Sequence, residues 1–407
     1  IQNNLIEFTT KNGFVKWVKT GRSIGLQTSI KRHERKMQFG TNMYSGLQES
    51  IYINLIRQTS FFNVDQNLKY GVSYYADRYT ESFTGNIDLE FNDIEEFKSM
   101  KRVDLISGIF SEYSYTSENN FTIIAGIRAD YYNRNSTVTY LPRINMKYNL
   151  SEQTTFRLSA GRSSRIANIF VENASFLASS RKISVRENLS PELAWNYGVN
   201  LAHCFKFLNQ EGTINVDYYQ TVFDNQVIVD IEDQGKLFFY NLAGESFSNV
   251  IQFDLAYELF PRFDIRLGYK LNDVQKTFGD NEKRAPLTPE KRALINISYA
   301  TNFEKWKFDF TANYIGRSRI PIHEELINHS QLSSDNFSEP FYIFNTQITK
   351  RFKRFDVYLG GENLAGYLQE NPIISSLDPQ SDIFDASLVW APIHSRMLYV
   401  GLRYKLR

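Results

Sequence analysis

The chain of 407 residues carries 46 basic and 45 acidic side chains, a formal net charge of +1. With no block of one sign, no nucleic-acid partner is expected. The single cysteine, Cys204, excludes a disulfide framework and a cysteine-based zinc site, and five histidines leave little for a multi-histidine metal centre; no cofactor is expected. No apolar run approaches the ~18 residues that a membrane-spanning helix needs, whereas 32 phenylalanines, 25 tyrosines and 4 tryptophans make the chain unusually aromatic.

Period-two alternation dominates the chain, and it predicts strands with one apolar and one wet face. The first strand is expected near 13–20, followed by polar loops at roughly 35–47 and 83–100 and a tight turn at Glu118–Asn120. In 121–131, Phe121, Ile123, Ala125, Ile127, Ala129 and Tyr131 alternate with mostly polar or small residues. A turn at Leu150–Glu152 precedes a long loop over 163–190, and turns at Asn209–Glu211 and Pro261 follow. Strand 262–270 sets Phe263, Ile265, Leu267 and Tyr269 against Arg262, Asp264, Arg266 and Lys270. After a loop at 276–287 and a turn at Asn302–Glu304, strand 305–315 alternates Trp306, Phe308, Phe310, Ala312 and Tyr314 with Lys305, Lys307, Asp309, Thr311 and Asn313. Loops at 319–340 and 367–394 flank a turn at Lys353–Arg354, and the last strand is read at 396–406.

Length and layout narrow the fold class. Strands of soluble domains average ~5–6 residues, shorter than these. Eleven residues rising ~3.3 Å each and tilted ~40° climb about 27 Å, close to the ~25 Å apolar band of an outer-membrane barrel. Short turns alternating with long loops suit the two rims of such a barrel. The fold class is therefore all-β, a transmembrane antiparallel up-and-down β-barrel, of which about 17 strands are seen. A closed barrel pairs every backbone polar group, as hydrocarbon demands. A ring this wide cannot fill its interior with apolar side chains, so the charged face is assigned to the lumen. Aromatics near strand ends (Tyr299, Trp306, Tyr314, Tyr358, Tyr399 and Tyr404) are read as interfacial girdles. Because such barrels have even strand numbers and the chain opens on Ile1, further sequence is expected upstream, with residues 1–407 forming part of one barrel domain.

Several segments then resemble TonB-dependent outer-membrane receptors. These are Arg157-Leu-Ser-Ala-Gly-Arg162 with Ile166-Ala-Asn168, Glu187-Asn-Leu-Ser-Pro191-Glu192-Leu-Ala-Trp195-Asn-Tyr-Gly198, Pro286-Leu-Thr-Pro-Glu290-Lys-Arg-Ala293, Gly361-Glu-Asn-Leu364, and Arg396 leading into Tyr399–Tyr404. Asn371-Pro-Ile and Phe384-Asp-Ala-Ser-Leu-Val-Trp390 resemble receptors of the Bacteroidetes group. The resemblance implies a 22-stranded barrel of which this is an incomplete piece, with an N-terminal plug domain and a TonB box outside the sequence in hand. It implies energised uptake of a scarce, bulky nutrient: a siderophore, haem or cobalamin chelate ahead of a glycan. The partners it implies are a TonB-type energiser acting through the plug, a small-molecule chelate, and the lipid and lipopolysaccharide of the outer membrane. The end of the chain, Tyr404-Lys-Leu-Arg407, departs from the family's aromatic last residue.

No nucleophile–base constellation and no phosphate-cradling glycine loop is visible, and no enzymatic activity is expected. The loop His323-Glu-Glu-Leu-Ile-Asn-His329 spaces its histidines six apart, against the four of a zinc-binding helix, and is read as a solvated loop. Basic residues gather at the outer rim: Arg162, Arg165, Arg317, Arg319, His323, His394 and Arg396. They are the candidate ligand-binding residues, suited to an anionic chelate through charge-assisted hydrogen bonds; the alternative is that they bind lipopolysaccharide phosphates, pair with loop carboxylates or fix the loops. A passive porin-like channel and a barrel hydrolase remain the other functional readings.

Overall fold

The computed structural model describes residues 1–16, 22–60, 65–85, 100–117, 120–322, 332 and 335–406. In chain order the strands are β1 (Gln2–Lys16), β2 (Arg22–Phe39), β3 (Asn42–Ser60), β4 (Gln66–Thr84), β5 (Met100–Thr116), β6 (Phe121–Tyr132), β7 (Thr137–Asn149) and β8 (Thr154–Arg165). A one-turn helix α1 (Ile169–Glu172) precedes β9 (Lys182–Val185), β10 (Glu192–Phe207), β11 (Gln210–Asn225), β12 (Val227–Asp230), β13 (Lys236–Asn241) and β14 (Ser246–Phe260). The chain continues through β15 (Phe263–Phe278), β16 (Asn281–Arg284), β17 (Lys291–Ala300), β18 (Trp306–Ile315), β19 (Phe341–Arg351), β20 (Phe355–Glu362) and β21 (Met397–Tyr404).

Eighteen strands form one sheet, and β9, β12 and β13 form a second sheet of three. In the large sheet the four-residue β16 only extends a hairpin on β15. The other strands pair antiparallel with their neighbours in an up-and-down wall, with β8 joined to β10 and β11 to β14 across the inserted loop strands. Among the described residues β1 pairs only with β2, and β21 only with β20.

The alternation read from the sequence becomes two faces in register. One apolar row runs Ile30, Ile51, Ala76, Leu105 across β2 to β5. Another runs Phe156, Leu201, Val216, Phe253, Tyr269 across β8 to β15, and a third Tyr299, Phe308, Ile348, Leu359, Val400 across β17 to β21. Many of these side chains are exposed, up to 75% for Val400. Large apolar groups standing in rows on one face need hydrocarbon around them. The opposite face is wet and internally bonded. Tyr44 donates to Glu81 at 2.6 Å, Ser50 and Tyr75 donate to Asp77 at 2.8 and 2.6 Å, and Arg128 pairs with Asp130 at 2.8 Å.

Two aromatics assigned to the girdles belong to that wet face instead. Tyr358 and Tyr399 cover Gly401 and Gly360 on the neighbouring strand, where an added Cβ would collide with the rings. Gly71 is tighter still: a Cβ there would run into the Leu55 carbonyl oxygen and the Phe110 ring. Trp306 does stand on the apolar face near a strand end, stacked on Phe308 with the Lys350 ammonium 4.6 Å from its ring centre.

The two rims differ as expected, with four departures. Residues 276–287, expected as a loop, are mostly a hairpin: β15 continues to Phe278 and pairs with β16 across the two-residue turn 279–280. Residues 35–47 are not a loop: β2 and β3 continue to Phe39 and Asn42 and close through the two-residue turn Gly40–Thr41, with Gly40 at φ +58°. The first strand begins at Gln2, well before the expected 13–20. Residues 226–245, not singled out from the sequence, carry β12 and β13 as an extra long connection.

Candidate ligand entrance

The apolar core lies in the loops, not inside the wall. Ile169, Phe170, Leu177 and Ile183 from the β8–β10 connection meet Val227, Ile231, Leu237 and Phe239 from the β11–β14 connection. Ile320 joins them from the β18–β19 connection, as do Ile374 and Leu388 from the β20–β21 connection. The cluster rests on Met37, Tyr44 and Phe83 at the ends of β2, β3 and β4. Phe170 stacks on Phe83 with ring centres 5.7 Å apart and lies as close to Tyr44. Asn42 donates to the carbonyls of Leu177 and Ser179 at 2.9 and 3.0 Å. Since Tyr44 and Phe83 share a face with Glu81, the loops close over the wet side, which is therefore the lumen.

A buried arginine ties three of these loops. Arg181 pairs with Asp385 at 3.0 Å and donates to the carbonyls of Ile231, Asp233 and Lys236. The parallel pairing of β9 with β13 runs beside it. Arg181 was not singled out from the sequence, and Asp385 stood there only within the segment Phe384–Trp390 with no pairing role; one Arg among many carries no local signal, and its partner lies in another loop.

The seven basic candidates separate by position. Arg162 stands on the apolar side of the wall, in register with Trp195, and pairs with Asp224 through Nη2 at 2.5 Å. Arg165 faces the lumen and is held by Glu192 and by Glu172 at 2.8 Å. Arg319 grips both oxygens of Glu232, at 3.0 and 2.7 Å, and donates to the Arg284 carbonyl at 2.6 Å. Arg317 is bound more loosely, 3.8 Å from Glu290 and 3.5 Å from Asp335, with its guanidinium 4.7 Å from the Phe337 ring centre. Arg317 and Arg319 thus join one network with Lys283, Arg284, Glu232 and Glu290. The side chains of His394 and Arg396 are exposed at the root of the last loop, where Arg396 reaches the Ala365 carbonyl at 3.4 Å. His323 and the segment to His329 lie outside the described residues.

Within that network burial pushes the Glu232 carboxyl up, but hydrogen bonds from Arg319 and Lys283 outweigh it and hold the group below the ordinary carboxylate range. The sequence segments singled out earlier turn out to anchor loops. The Val227 amide donates to Glu192 at 3.1 Å and Asn225 to the Pro191 carbonyl at 3.0 Å. Asn272 donates to the Pro289 carbonyl at 2.9 Å. Asn363 donates to the carbonyls of Tyr367 and His394 at 2.7 and 3.1 Å and accepts the Tyr367 amide at 3.1 Å.

Below the loops, the luminal wall of β6 to β11 holds a niche of about 470 Å³ lined by Lys147, Arg157, Asn200, Asp217 and Tyr219 among others. Among the described residues no group of three or more His, Cys, Asp or Glu side chains is arranged to hold a metal ion.

A wall of long antiparallel strands, oily outside and charged within, with tight turns at one rim and packed loops at the other, defines an outer-membrane β-barrel. The chain belongs to the TonB-dependent receptor family: residues 4–364 match the model described as "TonB dependent receptor-like, beta-barrel". This is a family of outer-membrane transport receptors. No curated protein matches by sequence. Among solved structures, a mutant of the ferric enterobactin receptor PfeA from Pseudomonas aeruginosa is similar at TM-score 0.65 and 12% identity, over 98% of this chain and 62% of that one. The copper transporter OprC is similar at TM-score 0.66 and 12% identity, over 98% and 64%. The siderophore receptor PiuA from Acinetobacter baumannii is similar at 0.61 and 11%, over 99% and 64%. The chain thus spans less than two thirds of the length of each of these structures.

Proposed function

We propose that this chain forms barrel wall and ligand entrance of a receptor that imports a bulky metal chelate across the outer membrane of a bacterium of the Bacteroidetes type. A plug within the lumen and a TonB-type periplasmic energiser complete the machine in this reading. The observation that carries it is the apolar core knitted from four loops over the charged lumen. A passive pore needs an open mouth, whereas a packed entrance suits capture of one ligand at a time. Solved neighbours named for ferric enterobactin, a siderophore and copper point the same way on substrate class.

The ligand contacts proposed are the basic side chains left loosely held or exposed, Arg317, His394 and Arg396. Arg165 and Arg319 are committed to carboxylates and position the loops. The test uses cells expressing the intact gene and radiolabelled ferric tricatecholate, haem and cobalamin as probes. Uptake of one chelate that stops on adding a protonophore is the expected result. Unchanged uptake under the protonophore, together with rapid swelling of proteoliposomes in small sugars, would establish the passive channel instead.

A further inference from the structure

We propose that the luminal wall of β7 to β11 carries a binding site for an oxyanion, held between Lys147 and Arg157. The two cations stand directly opposite each other across β7 and β8. Like charges opposed at ~5 Å on one sheet face cost stability, and a sequence breaks such a local rule where a function needs it. Both side chains are exposed to the lumen. Lys147 makes no side-chain hydrogen bond or ion pair among the described residues. Arg157 donates to the Asn200 side-chain oxygen at 2.7 Å, which leaves most of its N–H groups free. The carboxylate of the same row, Asp217, is engaged elsewhere. It accepts from the Asn200 amide at 2.8 Å and from the Tyr219 hydroxyl at 3.4 Å. The Asn200 side chain thus stands between guanidinium and carboxylate, and the two form no ion pair.

Cavity and donors together define the ligand. Lys147, Arg157, Asn145 and Ser159 all line the niche of about 470 Å³ in this wall. Asn145 and Ser159 oppose each other one step toward the loops, and neither side chain makes a hydrogen bond among the described residues. Ser159 and Tyr219 lean over Gly198, where an added Cβ would meet them at 2.5 and 2.8 Å. Glycine there lets both close the upper side of the niche. Two cations, an amide and a hydroxyl therefore converge with donors to spare, and a carboxylate, phosphate or catecholate oxygen is what accepts from such a set. The neighbouring wall offers no equivalent. On β4 to β6 the luminal cations Lys69, Arg102 and Arg128 each hold a carboxylate, Glu112, Asp104 and Asp130 respectively. The site lies below the packed loops, apart from the rim contacts proposed above, and rests only on the wet face being the lumen. A free anion and the anionic part of an imported chelate share this chemistry.

The experiment titrates the purified full-length receptor with inorganic pyrophosphate and follows binding by phosphorus NMR. The wild type is expected to bind, and to bind more weakly as salt rises. The double variant Lys147→Gln, Arg157→Gln is expected to weaken the Kd on the order of tenfold to a hundredfold. Lys69→Gln, which removes a luminal cation already held by Glu112 at 3.2 Å, should bind as the wild type does. A wild type that binds no pyrophosphate, or a double variant that binds it equally well, would overturn the site. Heat-modifiable migration on gels reports whether the double variant folds, and Lys147→Gln alone, with a smaller loss expected, serves if it does not. Uptake of ferric tricatecholate by cells then separates the two sources of the anion. A lower maximal rate at unchanged half-saturation in the double variant assigns the site to a chelate in transit. Unchanged uptake with pyrophosphate binding lost assigns it to a free anion. Absence of chelate uptake by the wild type, with pyrophosphate binding intact, would count against the transport reading only.

Discussion

Arg181 and Asp385 sit 204 positions apart in the chain, yet their side chains pair at 3.0 Å with each only 2% exposed. The same guanidinium also satisfies carbonyls from the β12–β13 turn region, so one side chain holds three loops. Arg181→Met leaves the Asp385 carboxylate buried without its partner, a loss that typically costs about 3–5 kcal/mol. The expected outcome is faster proteolysis at residues 168–190, 226–245 and 366–396, with the heat-modifiable barrel band unchanged. Simultaneous loss of that band would show that wall and loops unfold as one unit.

Depth along the strand sets the cost of charge on the oily face. Phe308 lies one step from Trp306 and touches Tyr299, close to the turn-bearing rim. Ile295 lies deeper, in register with Leu267 and Ala312. Ile295→Arg is expected to cost about 2–4 kcal/mol and Phe308→Arg nearer ~1 kcal/mol, because the penalty falls toward the interface. Lys307→Ala, on the other face, should leave stability within measurement error. Urea titration of the refolded barrel in vesicles reads all three.

The Arg319–Glu232–Lys283 cluster makes loop order depend on acidity. Because the folded Glu232 pKa lies below its unfolded value, its stabilising contribution is complete above the ordinary carboxylate range near ~4.3. That contribution disappears as pH falls through the folded pKa. Acid should therefore speed proteolysis of residues 226–245 in the wild type. Glu232→Gln should be cut at one raised rate throughout that range, and an undiminished acid response in this variant would assign it to another group.

Gly71→Ala tests the close approach of β4 to β3. The colliding atom is a backbone oxygen, which cannot rotate aside as a side chain can. An overpacking cost of about 1–3 kcal/mol is expected, read as a lower urea midpoint with an unchanged m-value.

The wall was legible in the sequence because lipid and lumen each select one residue class, and a period of two is visible in eleven residues. Strand 305–315 is an instance: Trp306, Phe308 and Phe310 face out as the alternation predicts. Residues 35–47 misled because β2 and β3 rise beyond the oily band, where Arg35, Lys36 and Gln38 look like a loop while still pairing as strand. Tyr358 and Tyr399 misled because their function is to cover glycines across the ladder, and cross-strand register is not written locally. Arg165 and Arg319 were identified as rim cations, but their carboxylate partners, Glu192 and Glu232, lie 27 and 87 positions away. The rim can be read from one sequence; which of its charges are already satisfied cannot.

The shared core of the loops also bears on how such a receptor could acquire a new specificity. Each connection contributes only a few of the side chains that order the others, so grafting one of them from a relative removes part of the packing that its three neighbours need. Specificity in this architecture is expected to transfer by exchanging the whole quartet of connections, while single grafts yield disordered mouths on intact barrels.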